Sequence, residues 1–236
     1  MYDFKDYTQA VNAAHSTDAG DTGFVADAGT KMVAINFDDV DLSSQMTVVC
    51  SGAARGGSSI LPYLLQNLGL PMGQFEANNY EDIEMLRNRQ SVDALAGIIE
   101  KRNAQDRWGF KIPSLRRGQF KYLEEALRNP VFVYILRNPL MTAQSVITRA
   151  AHENYTENRK GFANALEGCL QSYLEFATFM RQTPCPCILL PMEALKTAPR
   201  DCVAALDARL GLGAEDETID RLAGEVSVSG YKQRPR

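Results

Sequence analysis

Apolar stretches alternate along this chain with amphipathic ones, and the alternation predicts strands that are followed by helices. Val131–Leu136 is a continuous apolar run and Met46–Cys50 is nearly as apolar, which is typical of strands buried on both faces of a sheet. Between these runs, Ser59–Leu68 has leucines at helical spacing and is followed by Gly69, a common helix end. A strand, a turn and a helix therefore begin the core of the predicted fold.

Apolar runs and apolar residues at helical spacing also predict the remaining strands and helices. We expect strands within Lys31–Asp38, at Trp108–Ile112 and at Cys187–Leu190, and helices at Glu81–Arg89, Ser91–Arg102, Phe120–Leu127, 138–150, 159–182, Arg200–Leu210 and 217–224. Because strands and helices alternate, the predicted fold class is α/β, a single domain whose parallel sheet has helices on both faces.

Charge separates the first part of the chain from the rest. Residues 1–45 contain eight Asp and two Lys and therefore have a net charge of −6, whereas the whole chain has a net charge of −4. We expect residues 1–45 to be a polar, acidic extension with an edge strand, and residues 46–236 to form the domain. The negative balance argues against a nucleic-acid partner. No apolar run reaches the roughly 20 residues of a membrane span, and the first residues do not resemble a signal peptide. We therefore expect a cytoplasmic protein.

The cysteines suggest no metal site. The five cysteines match no zinc-binding spacing. Cys185-Pro186-Cys187 is either a redox or metal pair or, as we expect, two small apolar residues at the start of a buried strand in a reducing compartment.

The turn from Gly52 to Ser59, GAARGGSS, nearly matches the phosphate-binding loop GxxxxGK[ST]. Ser58 stands where that motif has its lysine, and Arg55 is the one strong cation of the loop. The glycines allow backbone N–H groups to point inward, and the following helix adds its N-terminal dipole. The loop can therefore hold a phosphate, but it is poorly equipped for transfer of a γ-phosphoryl group.

Three segments carry motifs that occur together in one enzyme family, with the patterns R/K-S-G-T-T, R-[DN]-P followed by a serine, and Y-E-D-L…P…F-L-G-L. They read here Arg55-Gly56-Gly57-Ser58-Ser59, then Arg137-Asn138-Pro139 with Ser145, and then Glu193, Leu195, Pro199 and Leu210-Gly211-Leu212. From Thr47 to the C-terminus, the chain thereby resembles the sulfotransferases that use 3′-phosphoadenosine 5′-phosphosulfate (PAPS). The resemblance implies a P-loop-type fold, PAPS as the sulfuryl donor and no metal.

The two anionic ends of PAPS match two groups of residues that the resemblance assigns to donor binding. The 5′-phosphosulfate would lie on the glycine-rich loop, which supplies Ala54, Arg55, Gly56, Gly57, Ser58 and Ser59. The 3′-phosphate needs a second cationic site. Arg137 ends a buried strand, where parallel sheets bind their ligands, and Ser145 lies about two turns into the next helix.

Sulfuryl transfer requires a cation at the transferring group and a base at the acceptor. Arg55 and Lys111, at the end of a predicted strand, are the candidate cations, although a strand-end lysine can equally be solvated. Small-molecule sulfotransferases place a histidine two residues after that lysine, where this chain has Pro113. Other branches use a glutamate after the first helix, so Glu76 is the predicted base and Glu81 the alternative.

Two other functions stay open at this level. One is a nucleotide kinase or NTPase of the same fold class, and the other is a non-catalytic nucleotide-binding relative. The acceptor is not identified, since variable loops, here residues 72–90, 113–120 and 150–162, build its pocket. The acceptor is expected to be a hydroxyl or amine on a small molecule, carbohydrate or lipid, and self-association into a homo-oligomer is left open.

Overall fold

The computed structural model describes residues 25–26, 32–38, 40–75, 79–151 and 159–227. Within them, six strands form a single sheet in the order β1-β2-β6-β5-β3-β4. The strands are β1 (Val25–Ala26), β2 (Val33–Ile35), β3 (Met46–Gly52), β4 (Arg107–Lys111), β5 (Pro130–Leu136) and β6 (Cys187–Pro191). Strands β3 to β6 are mutually parallel, whereas β2 is antiparallel to β6 and β1 is antiparallel to β2.

Nine helices occur among the described residues. They are α1 (Ile60–Asn67), α2 (Ile83–Asn88), α3 (Val92–Arg102), α4 (Arg117–Ala126), α5 (Pro139–Ala151), α6 (Arg159–Met180), α7 (Met192–Thr197), α8 (Pro199–Leu210) and α9 (Asp216–Ser227). None of the helices in these ranges combines the length and the apolar character of a membrane span.

The sheet separates two hydrophobic cores, because successive side chains of a strand point to opposite faces. In β5, Val131, Val133 and Ile135 pack with α1, α7, α8 and α9 on one face. Phe132 and Tyr134 pack with α2, α3, α4 and α6 on the other. The second core is rich in aromatic contacts. Every residue of β3 is buried, as its apolar run predicted.

The predicted α/β fold with helices on both faces is confirmed. Each predicted strand and helix is present with its ends shifted by a few residues at most. The strand predicted within Lys31–Asp38 is β2, which belongs to the same sheet as the strands that follow it. Its predicted edge position is wrong, because β2 pairs with β1 on one side and with β6 on the other. The sheet is parallel only over β3 to β6. A parallel connection needs a long crossover, and no helix lies between β2 and β3. Helix α7, which follows β6 directly and has six residues, was not predicted.

The cysteines occupy the places that the apolar interpretation predicted. Cys187 begins β6 and is buried, and all five cysteines are free. Burial raises the pKa of the Cys187 thiol, which keeps it protonated and unreactive. The Cys185 and Cys187 side chains are therefore packing groups of the strand start.

Candidate active site

The glycine-rich loop joins the end of β3 to the start of α1. Arg55 has a φ of 63° and Gly57 a φ of 89°, so the chain turns twice through the left-handed region. The Gly56 N–H donates to the Ala53 carbonyl oxygen at 2.9 Å, which closes the first of these turns. A Cβ on Gly57 would lie 3.2 Å from Sδ of Met192, so Met192 covers this glycine. Glycine at position 57 accepts the left-handed backbone and the close approach of Met192 without strain, which a residue with a Cβ would not.

The loop forms one wall of a cleft of about 210 Å³ at the carboxyl ends of β3, β4 and β5. The cleft is lined by Ala54, Arg55, Gly57, Ser58, Ser59, Asn79, Glu81, Lys111, Pro113, Arg137 and Ser145. Among these described residues, three side chains are cationic and one is a carboxylate. The cleft therefore has the charge balance of an anion-binding site.

Lys111 ends β4 and reaches the floor of the cleft. Its side chain is 2% exposed, so it is not the solvated lysine that the sequence left open. Nζ donates to the Asn79 carbonyl oxygen at 2.7 Å and to Ser59 Oγ at 3.2 Å, and it lies 3.6 Å from Glu81 Oε1. Ser59 Oγ also donates to the Asn79 oxygen, at 2.9 Å. This network holds a buried positive charge next to the loop, in a place where water screens it little.

The segment that carries Glu81 is anchored by its neighbour Asp82. The Asp82 N–H donates to the Lys111 carbonyl oxygen at 3.1 Å. Its carboxylate is fully buried, accepts the Met85 N–H at 3.0 Å at the start of α2, and is paired with both terminal nitrogens of Arg102. Breaking a buried ion pair by removing one partner typically costs about 3–5 kcal/mol, so this anchor is firm. It holds the Glu81 carboxylate beside the lysine.

Arg137 follows β5 directly and spans the cleft toward the loop. One of its terminal nitrogens donates to the Arg55 carbonyl oxygen at 3.0 Å. Its N–H donates to the Tyr173 hydroxyl at 3.2 Å, and that hydroxyl donates in turn to the Arg137 carbonyl oxygen. Burial raises the pKa of Tyr173 to about 12, so the phenol keeps the proton that it donates. The backbone of Arg137 is thus fixed from both sides by one tyrosine.

Ser145 reaches the same cleft from helix α5. The helix starts after Asn138, whose Oδ1 accepts the N–H groups of Leu140 at 2.9 Å and Met141 at 3.2 Å. This cap sets the direction of α5. Ser145 then lies two turns along the helix, half-buried, on the side that lines the cleft with Arg137. The structure brings the loop and the R-N-P segment together although about 80 residues of chain separate them.

The predicted site residues can now be placed individually. Ala54, Arg55, Gly57, Ser58, Ser59, Lys111, Arg137, Ser145 and the alternative base Glu81 all line the cleft. Gly56 does not line it, and its N–H is used inside the loop. Glu76, the predicted base, lies outside the described residues, so its assignment stays a prediction. Pro113, at the position where the resemblance led to the expectation of a histidine, also lines the cleft.

Four residues with a part in the site were not found from the sequence. Asn79 supplies the carbonyl that accepts Lys111, and Tyr173 fixes Arg137. Ser114 accepts the Ala54 N–H through Oγ at 3.1 Å, and Met192 covers Gly57. Backbone carbonyls and residues from distant helices leave no spacing signal. Met192 directly precedes Glu193 of the third motif, and Ser114 directly follows Pro113, but neither residue was itself part of a motif.

Comparison with known proteins gives the class of the fold. No protein-family profile matches the sequence, and no curated protein is significantly similar to it. The structure is similar to the sulfotransferase domain of the Synechococcus PCC 7002 olefin synthase, with a TM-score of 0.57 at 18% identity over 84% of this chain and 85% of that one. It is also similar to mouse sulfotransferase SULT7A1, solved with PAP, with a TM-score of 0.56 at 16% identity over 85% and 71% of the two chains.

A third structure supports the same class. The sulfotransferase domain of the curacin biosynthetic pathway matches with a TM-score of 0.53 at 16% identity, over 74% of this chain and 76% of that domain. Identities this low define the fold and not the reaction. The chain therefore has a sulfotransferase-like P-loop fold, as the three sequence motifs predicted.

Proposed function

We propose that this protein is a cytoplasmic sulfotransferase that moves the sulfuryl group of PAPS to a hydroxyl or amine acceptor. The observation that carries the proposal is the cleft in which the glycine-rich loop, Lys111, Arg137 and Ser145 meet. The glycine-rich loop with Lys111 forms one anion-binding group and Arg137 with Ser145 forms the other. PAPS has two separate anionic groups, which match these two. The free cysteines agree with a reducing compartment.

The donor would lie with its 5′-phosphosulfate on the loop and its 3′-phosphate on Arg137 and Ser145. Ser58 is a buried hydroxyl donor at the start of α1, where the helix dipole favours an anion, and Ser59 lines the cleft beside it. Arg137 supplies a guanidinium that can bind phosphate through two parallel hydrogen bonds. The same side chain also donates to the Arg55 carbonyl oxygen at the edge of the loop.

Transfer would proceed by direct in-line displacement. The acceptor oxygen or nitrogen forms a bond to sulfur, the bond between sulfur and the bridging phosphate oxygen breaks, and PAP leaves with that electron pair. Lys111 and Arg55 are placed to stabilise the negative charge that develops on the bridging and sulfuryl oxygens. The acceptor proton passes to a carboxylate.

Two glutamates compete for the part of the base. Glu81 lines the cleft, and its Oε1 lies 3.6 Å from Nζ of Lys111. Of the described residues that line the cleft, Glu81 has the only carboxylate, and on this ground we assign the base to it. Glu76 remains the competing assignment from the sequence pattern.

Arg137→Ala is expected to weaken binding of PAP by about ten- to a hundredfold, because a hydrogen bond to a charged group contributes roughly 1.5–3 kcal/mol. Adenosine 5′-phosphosulfate, which lacks the 3′-phosphate, should bind to the variant almost as it does to the wild type. Isothermal titration of both nucleotides measures the two affinities. If the wild-type protein bound nucleotides with and without the 3′-phosphate equally well, the donor would not be PAPS.

Arg128→Ala is the matched control for that measurement. Arg128 follows α4, is exposed, and donates to the Asn103 carbonyl oxygen, and it does not line the cleft. Arg128→Ala removes one positive charge, as Arg137→Ala does. PAP affinity should change less than about twofold, because exposed charge interactions contribute little. An equal loss in both variants would mean that net charge, and not the cleft, attracts the nucleotide.

Transfer is expected to proceed undiminished in EDTA. Ser58 replaces the lysine of the nucleotide-hydrolysing loop, and the strand ends at Lys111 and Arg137 offer cations where a kinase would hold magnesium on a carboxylate. A transfer assay with radiolabelled PAPS, run with EDTA and with added Mg²⁺, measures this. Activity that depends on Mg²⁺ and accepts ATP in place of PAPS would establish the kinase alternative.

A further inference from the structure

A second cleft, of about 580 Å³, lies between the starts of helices α3 and α4. Its walls include Arg89, Val92, Leu95, Ser114, Arg116 and Tyr122. The volume is within the range of roughly 300–1,000 Å³ that is typical of small-molecule sites. The donor chemistry described above uses none of these side chains.

The walls of the second cleft combine positive charge with apolar surface. Arg89 and Arg116 each carry a guanidinium, and none of the described residues that line the cleft is acidic. Val92 is 59% exposed although it is large and apolar, and Leu95 and Tyr122 extend the same wall. A molecule that fits such a surface has an anionic group beside an apolar or aromatic body.

Arg116 can turn toward a ligand without leaving an acid unsatisfied. Its only ion-pair partner among the described residues is Glu175, at 3.7 Å. That carboxylate already accepts the Arg117 N–H at 2.9 Å and the Gln171 side-chain amide at 3.0 Å. These hydrogen bonds, the one from the Arg117 N–H above all, hold the pKa of Glu175 below its usual value. The loose contact with Arg116 is therefore replaceable, since exposed pairs contribute little.

The second cleft adjoins the donor cleft through two consecutive residues. Pro113 lines the donor cleft and Ser114 lines the second one. Ser114 has a φ of 54°, donates its N–H to the Gly52 carbonyl oxygen at 3.0 Å, and accepts the Ala54 N–H through Oγ. A molecule bound against Ser114 is thus next to the loop that would hold the sulfuryl group. This is where an acceptor has to lie for in-line transfer.

We infer that the second cleft binds the acceptor through an anionic group, a carboxylate or a phosphate, which Arg116 and Arg89 recognise, while Val92, Leu95 and Tyr122 contact its apolar part. The identification of this ligand as the acceptor rests on the proposed function. Binding of an anionic ligand in the second cleft does not rest on the proposed function. Anion binding and the identity of the ligand as the acceptor can therefore be tested separately.

Titration of the full-length protein with phenylacetate, phenyl phosphate and the neutral phenylacetamide tests the anion site without turnover. We expect saturable binding of at least one of the two anions, about tenfold or more tighter than the amide, as one charge-assisted contact provides. The tighter anion identifies the preferred group. Arg116→Gln and Arg89→Gln should each weaken anion binding by about tenfold.

Arg117→Gln is the matched control, because Arg117 is adjacent, exposed and does not line the cleft. It should change anion binding less than about twofold, as removal of an exposed charge does. The inference is overturned if neither anion binds saturably, if anions and amide bind alike, or if Arg116→Gln and Arg117→Gln weaken binding equally.

Transfer from PAPS to 4-hydroxyphenylacetate and 4-hydroxyphenylacetamide tests the acceptor part. We expect the acid to have the lower KM, and Arg116→Gln to abolish that preference while PAP affinity stays within twofold. Equal KM values for the acid and the amide in the wild type would overturn the inference that the second cleft binds the acceptor. A protein that binds the anions but neither binds PAP nor transfers sulfate would refute the proposed function and keep the anion site.

Discussion

Glu81→Gln is expected to reduce turnover by about a hundred- to ten-thousandfold, the usual cost of losing a general base. Glutamine keeps the shape of the side chain and removes its basicity. Glu81 lines the donor cleft beside Lys111, and the buried Asp82 holds it there, so it is placed to take the proton of the acceptor. The turnover number is measured with saturating PAPS and acceptor.

Glu76→Gln is the comparison that decides between the two glutamates. If Glu81 is the base, Glu76→Gln should keep turnover within a few-fold, and PAP affinity should be nearly unchanged in both variants. Near-normal turnover of Glu81→Gln with loss in Glu76→Gln would return the assignment to Glu76. Normal turnover of both would mean that neither glutamate removes the proton.

Lys111→Met is expected to lower the rate of sulfuryl transfer by about a hundred- to a thousandfold, as removal of one preorganised donor does. The lysine is 2% exposed, and a buried charge acts on the developing negative charge more strongly than a solvated one. Methionine is similar in length to the apolar part of the lysine side chain and can pack in its place. Single-turnover measurements with labelled PAPS separate this step from acceptor binding and product release.

Two controls distinguish catalysis from folding in that experiment. Lys121→Met removes an exposed lysine of α4 that pairs with Glu124 at 2.8 Å, and it should leave the rate unchanged. PAP affinity and the thermal midpoint of Lys111→Met report whether the loop is intact, because Lys111 also donates to Ser59. A variant that folds, binds PAP and transfers at the wild-type rate would leave Arg55 as the only cation at the sulfuryl group.

Local patterns in the sequence predicted nearly all of the strands and helices, and the motifs contained most of the residues that line the cleft. The alternation of apolar residues determined the strands β3 to β6, because a strand buried on both faces can hardly contain solvated side chains. The spacing of glycines and serines determined the loop, since few residue types accept its backbone. The R-N-P segment and Ser145 were selected through the resemblance, and their positions after a buried strand and within the following helix agree with it.

The tertiary structure decided what depends on contacts between distant segments. It buries Lys111 against Asn79 and Ser59, where the sequence allowed a solvated side chain equally well. It brings Glu81 to the cleft through the Asp82–Arg102 pair, which joins residues 20 positions apart. It also sets β2 antiparallel between β1 and β6 and forms the arginine-lined cleft beside Ser114. The local periodicity of a sequence indicates which face of a helix or strand is buried. Which other element packs against that face depends on tertiary packing, and a single sequence carries no periodic signal for it.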